Sequence, residues 1–228
     1  MCRLPVRCSL FTGSGLPINP AEVSRAGEAR YHLYLSPMSL KRIAIDMDEV
    51  MADTLGEHIA RYNRDHGEQI TKEDLTGKWL WDVVSVDRHH VLQQYLSSED
   101  FFADLPIMED AQRVIQALQA RYEVFIASAA MEVPSSFAAK FRWLERHFPF
   151  LPPSHIVFCG DKGIIDADYL IDDNPRQFRR FKGEGILFTS PHNKLIKGYR
   201  RVDNWLDVEE LFLGSAIGSG SLQEKLIP

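Results

Sequence analysis

Short apolar runs alternate with stretches of helical period along most of this chain. Tyr122 to Ala127, His155 to Cys159, Tyr169 to Ile171 and Ile186 to Phe188 each read as a short buried strand, as does Ile43-Ala44-Ile45 before them. Between these runs the period changes. Leu55, Ile59 and Tyr62 recur at i, i+4 and i+7, and Gly67 offers a stop, which predicts a helix from about Asp53 to His66. Ala111, Ile115 and Leu118 mark a second helix, and Phe137, Phe141, Leu144 and Phe148 a third after Pro134. Asp203 or Asn204 caps a last one carrying Leu206, Val208, Leu211 and Phe212. Strands alternating with helices predict an α/β fold, a Rossmann-like parallel sheet with right-handed crossovers and helices on both faces.

The alternation fails between Asp53 and Pro106, where helical and aromatic character continues without a convincing strand. The expected organisation is therefore an α/β core over 38–53 and 106–213, with a small helical cap over 54–105 inserted after the first strand. That position would hang the cap over the carboxyl ends of the strands, where sheets of this kind place their sites. Residues 1–37 lack sustained periodicity and scatter Gly13, Gly15, Pro17, Pro20 and Pro37, so they read as a disordered extension, with Met38 as a second start. Four arginines against two glutamates leave an organelle-targeting reading of that segment open. Residues 214–228 read as a flexible tail.

Bulk properties narrow the function. With 45% hydrophobic and 25% charged residues in 228, the chain can bury one good core with a small accessory unit. A net charge of −6 argues against a surface that holds a nucleic-acid polymer by neutralising phosphates. No stretch approaches the roughly 18 apolar residues of a membrane span. Cys2, Cys8 and Cys159 have no metal-ligand spacing, and a reducing compartment, the cytoplasm, fits them.

The candidate chemistry lies at strand ends: Asp46 and Asp48 after the first strand, Ser128 after the second, Lys162 after the third, Asp172 and Asp173 after the fourth. These are the parts of phosphoryl transfer. A carboxylate attacks phosphorus when it is held in line and a cation neutralises the phosphoryl oxygens, which makes Asp46 the candidate nucleophile. Asp48 can protonate the leaving oxygen and then activate water, with Lys162 opposing the rise in its pKa that neighbouring acids would cause. Magnesium would take Asp46, the Asp48 carbonyl and one acid of the Asp172-Asp173 pair. Ser128 can donate to a phosphoryl oxygen and Lys162 supplies a point charge.

These residues resemble a known family. DMDEVMAD (46–53), the serine after the second strand, the lysine and LIDD (170–173) resemble the haloacid dehalogenase-like phosphatases. SSEDFFADLPIMEDA (97–111), KFRWLERHF (140–148), DKGIIDADYLIDDNP (161–175) and ILFTSPHN (186–193) are similar to the 5′(3′)-deoxyribonucleotidases within them. The resemblance implies a magnesium-dependent hydrolase of deoxynucleoside monophosphates. It implies Asp46 as nucleophile, Asp48 as acid and base, Asp46, Asp48 and Asp173 as metal ligands, and Asp172 in support. Ser128, Lys162 and Lys140 fall on phosphate- or substrate-binding positions, and Trp79 on a base-stacking one. Two departures stand out. Glu49 replaces a common Gly, which should matter little if the turn needs no positive φ, and Ser128-Ala129-Ala130 replaces Thr-Ser-Pro, which removes a hydroxyl.

Trp79, Trp81, Tyr95, Phe101 and Phe102 are concentrated in the cap, where aromatics either stack on a base or build a small core; Phe101 and Phe102 are expected to pack. The expected partner is a small-molecule nucleotide, with a homodimer left open and neither a nucleic-acid polymer nor a membrane. The alternatives are the same chemistry on another small phosphate ester, such as a sugar phosphate, and a catalytically silent phosphate- or metal-binding relative.

Overall fold

The computed structural model describes residues 40–98 and 100–214; the expected extension over 1–37 and the tail beyond Gly214 lie outside them. Six strands, β1 (Arg42–Ile45), β2 (Glu123–Ser128), β3 (Ile156–Phe158), β4 (Tyr169–Asp172), β5 (Glu184–Phe188) and β6 (Arg200–Val202), form one sheet in the order β3-β2-β1-β4-β5-β6. Every neighbouring pair is parallel. This is the α/β parallel sheet that the alternation predicts, and its order reverses between β1 and β4, where sheets of this kind hold their ligands. The strand β6 escaped the sequence reading because it is a charged edge: Arg200 is exposed, Arg201 half-buried, and only Val202 is buried.

The α-helices are α1 (Thr54–His66), α2 (Leu80–Val83), α3 (His89–Ser97), α4 (Ala111–Leu118), α5 (Phe137–His147) and α6 (Trp205–Leu213). Asp53 starts α1 by accepting from Gly56 N at 2.9 Å, and Gly67 ends it at φ 66°, a conformation that costs glycine nothing. Of the two proposed caps for the last helix, Asn204 acts, accepting from Asp207 N at 3.0 Å. Leu206, expected on the buried stripe, is 52% exposed. The stripe runs through Trp205, Val208 and Phe212, and Leu206 is rotated about 100° away from Trp205.

Alternate strand residues face opposite sides of the sheet. Ile43 and Ile45 share one core with Val114 and Ile115 of α4, Trp143 of α5 and Val208 of α6. Ala44, Ala127 and Leu170 face the other side, against Phe178 and Phe181, and the segments there are one- or two-turn 3-10 helices such as Lys162–Ile164 and Pro175–Arg179. The stretch between β1 and α4 has its own apolar cluster, built from Ile59, Tyr62, Leu75, Leu80, Val84 and Leu92, and holds no strand among its described residues. It leaves and rejoins the sheet side by side, through Asp53 N to Pro106 O and Met108 N to Met51 O, both 2.8 Å. It touches the sheet's ends again where Gly77 N donates to Pro191 O at 2.9 Å and Trp79 stacks on His192, ring centres 3.8 Å apart.

One long-range bond pins the turn after β1. Trp205 Nε1 donates to Val50 O at 2.8 Å, and both groups are buried. Trp205→Phe keeps most of the packing and leaves that carbonyl unpaired, so it is expected to cost about 1–3 kcal/mol in chemical denaturation; an unchanged midpoint would show that the turn stands without this bond.

Candidate active site

The site begins where β1 stops. Asp46 N donates to Ile171 O at 2.9 Å, which extends the β1–β4 pairing by one residue and holds Asp46 beside the end of β4. The chain then turns: Met51 N and Ala52 N both donate to Met47 O at 2.9 Å, and Glu49 adopts φ 60°. The turn therefore needs the left-handed conformation, and the expectation that Glu in place of Gly matters little is corrected. A side chain there costs roughly 1–2 kcal/mol. The Glu49 carboxylate offsets that cost, since it accepts from Leu55 N at 2.6 Å and from Ser190 Oγ at 3.0 Å. It is a buried strut between the turn, the start of α1 and the loop after β5, and burial pushes its carboxyl up to about 7. No sequence signal marks it, because Ser190 is 141 residues away and Leu55 comes within reach only through the turn.

Lys162 is the centre of the arrangement. Its Nζ lies 2.5 Å from Asp46 Oδ1 and 2.5 Å from Asp172 Oδ2, and all three residues are buried. Burial alone would lower the lysine, but the charges of Asp172 and Asp46 outweigh it and hold the ammonium above its ordinary pKa. Burial in turn pushes Asp46 up to about 7 against the pull of Lys162. Asp173 is raised well above the carboxylate range by burial, with Asp172 and Asp46 adding to it. Its backbone carbonyl is fixed by Asn193 Nδ2 at 2.7 Å and His192 Nε2 at 3.2 Å. Its carboxylate accepts no hydrogen bond from a described residue and lines the cleft, with His192 Nε2 3.6 Å away.

A cation fits here. Oxygens of Asp46, Asp172 and Asp173 lie within 4.8 Å of one another, and all three residues are buried. Three carboxylates face one ammonium, an excess of two negative charges that a divalent ion would cancel, and hard oxygen donors suit magnesium. Asp172 is already engaged by Lys162 and by Asn174 N at 2.8 Å, which leaves Asp46 and Asp173 with the freer oxygens. The Asp48 side chain lies outside this cluster. It pairs instead with Lys140 and accepts from Thr54 Oγ1 at 2.9 Å. The lysine beside Asp48 is thus Lys140 of α5, not Lys162 as the sequence suggested. Lys140 is itself buried, its Nζ 4.4 Å above the ring of Phe102 and 3.5 Å from Ser128 Oγ.

These groups line a cavity of about 290 Å³. Asp46, Asp48, Lys140, Lys162, Asp172 and Asp173 form its charged end. Leu55, His58, Leu80, Trp81, Leu96 and Phe102 form the other, and Trp79 stands half exposed at its edge. Ser128 is fully buried behind the wall, where Ala129 and Ala130 take the lining positions. Phe101 and Phe102 are both buried, as packing residues should be, although Phe102 also reaches the cavity. Cys159 is a buried free thiol.

Over residues 40–217 the chain matches the family described as 5′ nucleotidase, deoxy (Pyrimidine), cytosolic type C protein. It is 48% identical over 176 residues to a Staphylococcus aureus (strain Mu50) protein named "Putative 5′(3′)-deoxyribonucleotidase", covering 77% of this chain and 97% of that one. It is 37% identical over 174 residues to the 5′(3′)-deoxyribonucleotidase of Bacillus subtilis (strain 168), covering 76% and 99%. Among solved structures it resembles a haloacid dehalogenase-like protein of unknown function from Agrobacterium tumefaciens, with a TM-score of 0.52, 14% identity, and coverage of 77% and 98%. That likeness carries the fold.

The raised carboxyls set a pH dependence. With Asp46, Glu49 and Asp173 lifted by burial, the folded protein without metal holds more protons than the unfolded chain from about pH 4 to about pH 7, so its stability falls as pH rises through that window. Magnesium is expected to raise the melting temperature by roughly 5 °C or more at pH 8 and by less at pH 5. Equal melting with and without the ion at pH 8 would contradict a cation site here.

Proposed function

The chain belongs to the cytosolic type C 5′-deoxynucleotidase family, within the haloacid dehalogenase-like hydrolases, and from that premise we propose that it is a magnesium-dependent phosphatase of deoxynucleoside 5′(3′)-monophosphates. The observation that carries this reading at the level of chemistry is the buried group in which Asp46 and Asp172 share Lys162 while Asp173 keeps a free carboxylate. The helical stretch over 54–105 is the cap, and its aromatic cavity end takes the base. A reducing compartment, the cytoplasm, suits the buried thiol of Cys159.

In this reading an Asp46 oxygen attacks the phosphorus, and the bond from phosphorus to the ester oxygen breaks with its electron pair on the leaving oxygen. That oxygen takes a proton from Asp48. The Asp48 carboxylate then removes a proton from water, whose oxygen attacks the aspartyl-phosphate; the bond to Asp46 breaks and inorganic phosphate leaves. Lys162 favours the ionised form of Asp46 against its burial and fixes its rotamer. Thr54 and Lys140 orient Asp48, and Lys140 is also placed to meet a phosphoryl oxygen. Asp46, Asp173 and the Asp48 backbone would hold magnesium, which when bound neutralises phosphoryl charge. Asp172 supports through Lys162. Ser128, withdrawn behind the wall, would reach the phosphate only through its backbone or a shift of its side chain.

Asp46→Asn is expected to keep the fold and to lower kcat by roughly 10⁴-fold or more; phosphate release at the native rate would remove the covalent mechanism. Substrate class is tested separately. The wild-type enzyme should hydrolyse dUMP or dTMP with a kcat/KM at least about tenfold above that for 2-deoxyribose 5-phosphate, since a stacked base is worth roughly 1–3 kcal/mol. Equal values would leave a phosphatase that acts on another small ester.

A further inference from the structure

His58 sits on the buried face of α1 and lines the apolar end of the cavity, 3% exposed. Three aromatic rings meet it nearly edge-on: Trp81 at 5.3 Å, Phe101 at 5.4 Å and Tyr95 at 6.1 Å between ring centres. Its Nε2 lies 3.1 Å from Leu92 O. A carbonyl only accepts, so Nε2 carries the proton. Burial holds the ring's pKa down at about 4, so the imidazole is neutral at working pH and its Nδ1 is a bare acceptor. No described residue donates to that nitrogen. His58 lines the cavity, so a ligand held there comes within reach of that ring.

The result is one hydrogen-bond acceptor in a compartment otherwise walled by Leu55, Leu80, Trp81, Leu96 and Phe102. An acceptor in such surroundings is expensive to leave unmatched and gains most from a ligand that brings an N–H to it. Resting on the nucleotidase reading above, we propose that Nδ1 of His58 reads a ring N–H on the edge of the substrate's base, which makes it a specificity-determining residue of the cap. The class it favours is a base with a ring N–H donor, as in uracil. An N-methylated base cannot make the bond and places a methyl group against the nitrogen.

The test compares kcat/KM for dUMP with that for its N3-methyl derivative, in the wild-type enzyme and in His58→Phe, which keeps a flat ring without the acceptor. The wild-type ratio is expected to be roughly ten- to a hundredfold, carried by KM, and to fall to within about threefold of one in His58→Phe. A wild-type ratio near one overturns the proposal without any variant, so the test holds even if His58→Phe fails to fold. A variant that keeps the wild-type ratio overturns it too, since the methyl group is then excluded by something else. Failure of the nucleotidase reading looks different: dUMP would be turned over no better than 2-deoxyribose 5-phosphate by the wild-type enzyme.

Discussion

The ammonium of Lys162, held at 2.5 Å between carboxylates from the ends of two neighbouring strands, is the contact on which the site depends. Asp46 follows β1 and Asp172 ends β4, so the lysine ties together the two strands between which the sheet order reverses. Buried charges persist only when paired, and removing one partner from such a group typically costs about 3–5 kcal/mol. The pairing is nevertheless incomplete. A third buried acid, Asp173, stands beside the pair with no donor for its carboxylate among the described residues, and burial holds Asp46 and Asp173 above their ordinary pKa values. A protein carries such an unbalanced cluster where function requires it, and one divalent cation would balance it.

The surrounding structure keeps this cluster from relaxing. Asn193 and His192 grip the Asp173 carbonyl, Trp205 grips Val50, and Glu49 bridges Leu55 and Ser190. Apart from the Leu55 contact, six residues along, each bond joins the turn after β1, or the end of β4, to an element at least 19 residues away in sequence. His192 also carries Trp79 on its face, so one loop holds an acid of the site on one side and an edge of the aromatic cavity on the other. The charged end of that cavity is thus built mainly from strand ends, with Lys140 from α5, and the apolar end from Leu55, Leu80 and Trp81 of the small cluster together with Leu96 and Phe102 of the main core.

Much of this could be read in the sequence where one local rule decides the outcome. The strands β1, β2, β4 and β5 announce themselves as apolar runs because both their faces are covered, and Asp46, Asp172 and Asp173 announce themselves at the ends of β1 and β4, while Lys162 follows the half-buried β3. The edge strand β6 was hidden because only Val202 of its three residues is buried, and Leu206 misled because a leucine beside a buried stripe looks like part of it. Lys140 could be placed only through family resemblance: it meets Asp48 across 92 positions of sequence, which no spacing rule encodes. Glu49 could not be judged because its positive φ and its two hydrogen-bond partners exist only in the folded chain. His58 gave no signal at all, since a histidine on a helix face acquires meaning only from the cavity that it lines.

The central claim is that Asp46 is presented to phosphorus by a buried lysine with a divalent cation at the freer oxygens of Asp46 and Asp173. A crystal structure of the protein with magnesium and beryllium fluoride tests it most directly. The account predicts beryllium bonded to an Asp46 oxygen, magnesium coordinated by Asp46 and Asp173, and Lys162 still between Asp46 and Asp172. Beryllium fluoride on another residue, or a magnesium ion that ignores Asp173, would contradict it.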